Sequence, residues 1–124
     1  MQFIGGMASP RLLIVEDENL LRRCLARFFV RRGFDVVEAT CLAEAEQQLD
    51  DGSYQAALLD VGLPDGSGLR LINRIGAERS IVITAKPDPE RFQRDGVRHL
   101  LRKPVDLPHL AELVADVASQ PCPA

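Results

Sequence analysis

The chain has 124 residues, which is enough for one packed core and too short for two. Hydrophobic residues make up 46% and charged residues 27% of the chain, and these proportions argue against a disordered protein. The formal net charge of −3 gives no reason to expect that this segment binds nucleic acid directly.

The beginning of the chain predicts a strand followed by a helix. The apolar run at 11–15 is predicted as the strand, and the acidic residues Glu16 and Asp17 follow it directly. The helix is predicted from apolar residues at the i, i+3, i+4, i+7 spacing: Leu21, Cys24, Leu25 and Phe28. Gly33 is expected to end it.

The same alternation continues through the middle of the chain. A second strand is predicted at 34–38, and Thr40 can cap the helix after it. A third strand at 55–59 leads into Asp60, so one carboxylate stands at the carboxyl end of a buried strand, where α/β folds place their active sites. Turn-forming residues follow at once: Gly62, Pro64, Asp65 and Gly66.

The last part of the chain repeats the pattern with shorter elements. A short third helix is predicted at 68–75 and a fourth strand at 80–84. A shortened fourth helix begins near Pro89, and a fifth strand at 97–102 leads into Lys103. The fifth helix has a capping aspartate and an apolar stripe: Asp106, Leu110, Leu113, Val114 and Val117.

Strands that alternate with helices predict an α/β fold, in which a doubly wound, five-stranded parallel sheet has helices on both faces. Right-handed crossovers place the carboxyl ends of all the strands at one edge of the sheet. Polar side chains are expected to converge there: Glu16, Asp17, Asp60, Thr84 and Lys103.

These side chains suit phosphoryl transfer. Three carboxylates at one edge repel one another, and a hard divalent cation such as Mg²⁺ relieves that repulsion. The Lys103 ammonium and the Thr84 hydroxyl can bind phosphoryl oxygens, and Asp60 can act as the nucleophile that forms an aspartyl phosphate. Each residue alone also has a structural interpretation, as a helix cap, turn, strand or solvated surface residue.

The motifs, in this order, resemble the receiver domain of bacterial two-component response regulators (CheY-like). The resemblance covers residues 11–118 and rests on five motifs: Glu16-Asp17, Asp60, Leu63-Pro64-Asp65-Gly66, Thr84-Ala85 and Lys103-Pro104. It implies a flavodoxin-like fold with strand order 2-1-3-4-5. It also implies that a sensor histidine kinase or phosphotransfer protein phosphorylates Asp60 with Mg²⁺ as cofactor, and that the chain catalyses only its own phosphorylation and dephosphorylation.

By position, the resemblance also implies roles for single residues. Asp17 and Asp60 would bind Mg²⁺ through their side chains, Gly62 through its backbone carbonyl, and Glu16 through water. Three groups would bind the phosphoryl oxygens: the Thr84 hydroxyl, the Lys103 ammonium and the backbone amide of Ala85. Phosphorylation would switch a partner or an output domain. Residues 20–33 and 63–69 look most similar to redox-type regulators that carry a DNA-binding domain.

The output side departs from the family pattern. Leu100 occupies the switch position, where an outward-facing aromatic residue usually reports phosphorylation. The segment from Thr84 to Lys103 is short and rich in proline, which predicts a reduced fourth helix. Many members of the family form homodimers through the fourth helix, fifth strand and fifth helix, and both departures lie on this surface. Lys86, two residues after Thr84, is expected to tune how long the phosphate survives.

Two alternatives come from other functional classes. The chain could be a receiver-fold binding module whose state is set by a partner, with weak phosphorylation. A phosphohydrolase with an aspartyl nucleophile is disfavoured, because Gly62 stands where such enzymes commonly place their second acid.

The remaining features predict the cellular context. The cysteines have no metal-binding spacing and suit a reducing cytoplasm: Cys24, Cys41 and Cys122. No apolar stretch approaches the length needed to span a membrane, so neither membrane binding nor a membrane partner is expected. Residues 1–10 are expected to form a flexible lead, and residues 119–124 a tail or the start of a linker.

Overall fold

The computed structural model describes residues 9–120, so most of the predicted lead and of the predicted tail, with Cys122, lies outside the described residues. These residues form one sheet of five parallel strands in the order 2-1-3-4-5, which confirms the predicted fold class and topology. The strands are β1 Arg11–Val15, β2 Asp35–Ala39, β3 Ala56–Asp60, β4 Ser80–Thr84 and β5 His99–Arg102.

Helices cover both faces of the sheet. They are α1 Asn19–Val30, α2 Leu42–Asp50, α3 Ile72–Ile75, α4 Pro89–Arg94 and α5 Leu107–Ala118. The six residues of α4 confirm that this helix is short. The helix predicted at 68–75 is α-helical only in its second half, because Gly68–Leu71 forms a 3₁₀ turn. None of the helices between residues 9 and 120 is long and apolar enough to cross a bilayer.

Alternate residues of the central strands supply two separate hydrophobic cores. In β1, Leu12 and Ile14 face the core beneath α1 and α5, whereas Leu13 and Val15 face the core beneath α2, α3 and α4. All five residues of β3 and all five of β4 are buried, as expected for central strands that are covered on both sides. The sheet is therefore packed on both faces beneath its carboxyl edge.

Two strand boundaries differ from the sequence prediction in ways that matter. β3 includes Asp60, whose backbone pairs with Ile83 of β4, so this carboxylate belongs to the sheet rather than to the following turn. β5 begins at His99, two residues later than predicted, because the Val97 amide closes the end of α4 by donating to the Phe92 carbonyl at 2.9 Å.

The buried stripe of α1 is rotated by one residue from the predicted stripe. The predicted members include Cys24, which is exposed. The residues that are buried keep the same spacing in another register: Arg22, Leu25, Ala26 and Phe29. The helix ends at Val30, and Gly33 has a φ of 94°, so it supplies the left-handed residue that the following turn requires.

The cap predicted for α2 is wrong. Cys41, not Thr40, stands at the N-cap position, and its side chain makes no capping hydrogen bond. Asp65 acts instead, because its carboxylate accepts from the Leu42 amide at 2.8 Å and from the Ala43 amide at 3.0 Å. Both hydrogen bonds lower the pKa of the Asp65 carboxyl group, and the bond from the Leu42 amide contributes most. The predicted cap of α5 is confirmed, since Asp106 accepts from the His109 amide at 3.3 Å.

Candidate functional site

The carboxyl ends of four neighbouring strands bring the predicted site residues together. β1 leads into Glu16 and Asp17, β3 ends with Asp60, β4 ends with Thr84, and β5 is followed by Lys103. Parallel pairing from β1 through β3 and β4 to β5 places all of these ends at one edge. The convergence predicted from the strand pattern is present in the structure.

Three carboxylates form a cluster at this edge. One carboxylate oxygen from each of Glu16, Asp17 and Asp60 lies within 4.8 Å of the other two. Glu16 and Asp60 are buried and Asp17 is exposed, so the cluster has a protein side and a solvent side. Oxygen donors that are partly open to water fit Mg²⁺, which is bound through one or two carboxylates while it keeps several waters.

Lys103 balances part of this negative charge. Its ammonium donates to Glu16 Oε1 at 2.8 Å and lies 3.6 Å from Asp60 Oδ2. Burial alone would lower the pKa of Lys103, but the hydrogen bond to Glu16 and the charges of Asp60 and Glu16 together raise it above its ordinary value. The Lys103 amide donates to the Thr84 carbonyl at 2.8 Å, and the Lys103–Pro104 peptide bond is cis.

The two carboxylate oxygens of Asp60 have different surroundings. Oδ1 accepts a hydrogen bond from the Gly62 amide at 3.2 Å, whereas Oδ2 faces Lys103. Gly68 lies against the Asp60 carbonyl so closely that a Cβ atom at position 68 would collide with it. Sequence reasoning did not single out Gly68, although its place eight residues after Asp60 marks the start of the next turn. Close backbone packing therefore restricts Asp60 on the side of this turn.

Thr84 and the two residues after it form the other wall of the site. Thr84 is buried, and its hydroxyl oxygen accepts a hydrogen bond from the Lys86 amide at 3.2 Å. Ala85 and Lys86 are exposed. The Lys86 side chain makes no ion pair within the described part of the chain, so its ammonium is free to meet an anion.

Leu100 lies apart from the acidic cluster. It is 36% exposed and pairs with Val82 in the β4–β5 ladder, two residues before the pair of Thr84 with Arg102. Phe92 of α4 is buried in the core instead of standing at the surface. The described part of this face therefore presents an aliphatic side chain at the predicted switch position.

Arg22 is a residue next to the site that the sequence analysis did not identify. Arginines on a helix surface are usually solvated, yet of the neighbouring Arg22 and Arg23 only Arg23 is exposed. Arg22 is buried, donates to the Glu16 carbonyl at 3.1 Å, and pairs with Glu38 at 3.0 Å. Its spacing to Leu25, Ala26 and Phe29 was the available signal, because this arginine occupies the buried stripe of α1.

One surface groove, of 370 Å³, reaches the site, and its lining includes Lys103, Pro104 and Glu18. A larger groove, of 710 Å³, lies along α1 and contacts none of the predicted site residues. The exposed Asp17 and this groove at Lys103 leave the edge accessible to a reactant that another protein carries.

Known proteins share this sequence pattern. A family model described as the response regulator receiver domain matches residues 12–115. The swarming motility regulation protein RssB of Serratia marcescens is 34% identical over 113 residues, covering 86% of this chain and 52% of that protein. The aerobic respiration control protein ArcA of Escherichia coli (strain K12) is 35% identical over 77 residues, covering 62% of this chain and 32% of that protein.

A solved structure shares the fold. The non-phosphorylated HemR receiver domain from Leptospira biflexa superposes with a TM-score of 0.81 at 25% identity, covering 94% of this chain and 99% of that chain. The chain spans about a third to a half of the length of the two curated relatives.

Proposed function

This chain belongs to the response regulator receiver domain family, and on that premise we propose that Asp60 accepts a phosphoryl group from the phosphohistidine of a sensor histidine kinase or phosphotransfer protein. The observation that carries the proposal is the cluster of Glu16, Asp17 and Asp60 beside the Lys103 ammonium. An isolated acid at a strand end would not require this arrangement.

The proposed reaction is one displacement at phosphorus. A carboxylate oxygen of Asp60 forms the new P–O bond as the P–N bond to the imidazole breaks, and the imidazole nitrogen keeps the electron pair and takes up a proton. The phosphoryl group is later lost by hydrolysis, in which water attacks phosphorus, the Asp60 carboxylate leaves, and inorganic phosphate and a proton are released to solvent. The chain thus catalyses only its own phosphorylation and dephosphorylation.

The residues around Asp60 have separate proposed tasks. Asp17 and Asp60 would hold Mg²⁺ with their carboxylates, Gly62 with its carbonyl, and Glu16 through water. When bound, the ion supplies positive charge against the phosphoryl oxygens. The remaining phosphoryl contacts would come from the Lys103 ammonium, the Thr84 hydroxyl and the Ala85 amide.

Intact mass spectrometry tests this function. The wild-type chain is incubated with Mg²⁺ and acetyl phosphate, and a parallel sample contains EDTA. We expect one acid-stable, base-labile phosphoryl group with Mg²⁺ and none with EDTA. A chain that gains no phosphate under either condition would favour the binding module set by a partner, which the exposed Leu100 and the six-residue α4 make the second candidate.

We expect Lys86 to prolong the life of the phosphate. Its exposed ammonium follows Thr84 by two residues and can pair with a phosphoryl oxygen, where it hinders the attacking water. In Lys86→Ala, the phosphorylated chain should decay faster by up to roughly fivefold, since exposed ion pairs contribute about 0.2–1 kcal/mol. Decay after removal of the donor is followed by mass, with Arg94→Ala as the matched loss of an exposed cation. Equal lifetimes in all three chains would remove this role.

We propose that Leu100 reports phosphorylation by changing rotamer as Thr84 moves towards the phosphate. Backbone amide NMR spectra of the wild type are compared before and after addition of Mg²⁺ and beryllofluoride, a phosphate mimic. We expect the amide resonances of Leu100 and α4 to shift. The apparent mass of the chain in solution should also rise on addition of the mimic if the chain dimerises through α4, β5 and α5. Unmoved resonances at Leu100 and α4 would exclude a conventional switch.

The output and location are also proposals. The names of both relatives describe control or regulation, and both proteins extend well beyond the matched region, so we propose that this domain regulates an output domain or partner. We propose a cytoplasmic location, which the free thiols of Cys24 and Cys41 support and which cell fractionation would check.

A further inference from the structure

Arg22 is the only buried lysine or arginine within residues 9–120. It lies near the start of α1 and retains 8% of its surface exposed, although the next residue, Arg23, points to solvent. A buried guanidinium requires hydrogen-bond partners, because an unpaired buried charge is strongly unfavourable. The partners of Arg22 therefore indicate what this residue does.

Two partners hold the guanidinium between β1 and β2. Its Nε donates to Glu38 Oε1 at 3.0 Å. In the β1–β2 ladder Glu38 pairs with Ile14, and Ile14 lies two residues before Glu16. Its Nη1 donates to the backbone carbonyl of Glu16 at 3.1 Å. Glu38 thus orients the guanidinium, and the guanidinium in turn binds the backbone carbonyl that follows β1.

That carbonyl belongs to the peptide bond between Glu16 and Asp17, the two acids of the cluster. A peptide group is planar, so a hydrogen bond to its oxygen restricts the direction in which the chain continues into Asp17. The other contacts of Glu16 act elsewhere: its amide donates to the Ala39 carbonyl, and its carboxylate accepts from Lys103 and from the Glu18 amide. Asp17 itself is exposed and so has few packing contacts of its own to orient it.

We infer that Arg22 is a positioning residue for the metal site: it fixes the Glu16–Asp17 peptide so that the Asp17 carboxylate meets those of Glu16 and Asp60. This inference rests on the proposed function, because it concerns the Mg²⁺ that the cluster would bind. Residues that orient metal ligands without touching the metal typically change affinity by about 10- to 100-fold when they are replaced.

The direction in which the Mg²⁺ affinity changes when Arg22 is replaced distinguishes a positioning role from a purely electrostatic role and from a purely structural role. A nearby positive charge opposes the binding of a cation, so a purely electrostatic Arg22 would make Mg²⁺ bind more tightly after its removal. A purely structural Arg22 would lower the unfolding temperature and leave the Mg²⁺ affinity of the folded chain unchanged. Only a positioning role predicts weaker binding by a chain that is still folded.

The experiment measures the Kd for Mg²⁺ by isothermal titration calorimetry on the full chain, with circular dichroism to confirm folding. The variants are Arg22→Met, Arg22→Lys and, as the matched control on the same helix, Arg23→Met. We expect Arg22→Met to bind Mg²⁺ on the order of tenfold more weakly, Arg22→Lys to lie between it and the wild type because it can donate to the same carbonyl, and Arg23→Met to match the wild type.

An Arg22→Met chain that folds and binds Mg²⁺ with wild-type or higher affinity overturns the inference. If Arg22→Met does not fold, Glu38→Met decides, because it removes the carboxylate that orients the guanidinium, and wild-type affinity in that variant overturns the inference equally. A wild-type chain that binds no Mg²⁺ is a different result, because it contradicts the proposed function itself.

Discussion

Asp60→Asn is expected to abolish phosphorylation of the chain. The amide keeps the size of the side chain and can still accept from the Gly62 amide, which lies 3.2 Å from Oδ1, so the fold should be retained. It is, however, a poor nucleophile at phosphorus, and it removes one of the three carboxylates of the cluster. Intact mass after incubation with Mg²⁺ and acetyl phosphate should show no phosphoryl group on the variant and one on the wild type.

The matched control is Asp65→Asn, which changes another acid five residues further along the chain. Asp65 binds the amides of Leu42 and Ala43 at the start of α2 and takes no part in the acidic cluster. We expect this variant to accept phosphate as the wild type does, with a thermal midpoint a few degrees lower. Phosphate on Asp60→Asn, at whatever residue, would contradict the assignment of Asp60.

Lys103→Met should have the second largest effect, a loss of roughly 10²- to 10³-fold in the rate of phosphate uptake, as when a single preorganised charge-stabilising donor is removed. The ammonium lies 3.6 Å from Asp60 Oδ2 and can follow the phosphoryl oxygen as the new bond forms. Methionine keeps the length of the side chain and removes its charge. The rate is measured by intact mass over time at saturating Mg²⁺, so that uptake is separated from metal binding.

Arg94→Met is the matched control, because it removes an exposed positive charge from α4 and Arg94 is not among the predicted site residues. Its uptake rate should stay close to that of the wild type, since Arg94 forms no ion pair with the acids of the cluster among the described residues. Equal uptake rates in Lys103→Met and the wild type would show that Lys103 has only a structural role.

The pKa of Lys103 also predicts a pH dependence of stability. Because this pKa is raised in the folded chain, the protonated lysine stabilises the fold fully below its ordinary value of about 10.4, and the contribution is lost as the pH rises through the folded value. The difference in thermal midpoint between the wild type and Lys103→Met should therefore be constant near neutral pH and shrink in strong alkali.

Much of the fold could be predicted because its signals are local. Apolar runs placed β1 and β4 at their observed bounds, and the proline-rich segment after Thr84 predicted the short α4. Errors arose where a contact from another part of the chain decides the outcome. Thr40 has the chemistry of a cap, yet Asp65 reaches α2 from the turn after β3 and binds its first amides.

Arg22 shows the same limit at the site. An arginine on a helix is usually solvated, and nothing nearby in sequence states that Glu38 and the Glu16 carbonyl will lie within hydrogen-bond distance of its side chain. The apolar spacing of α1 fits two neighbouring registers, and packing against β1 and β2 selected the register that buries this cation.

The sequence by itself determined the order of strands and helices and the chemistry at the strand ends. Both follow from local pattern, and parallel topology then requires Glu16, Asp17, Asp60, Thr84 and Lys103 to share one edge. Only the tertiary structure decided which contacts hold that edge in place. Arg22 donates to the Glu16 carbonyl, Gly68 packs against the Asp60 carbonyl, and the Asp65 carboxylate accepts from the Leu42 amide at the start of α2. The physical reason is that a hydrogen bond or close contact depends on tenths of an ångström between distant segments, which periodicity does not encode.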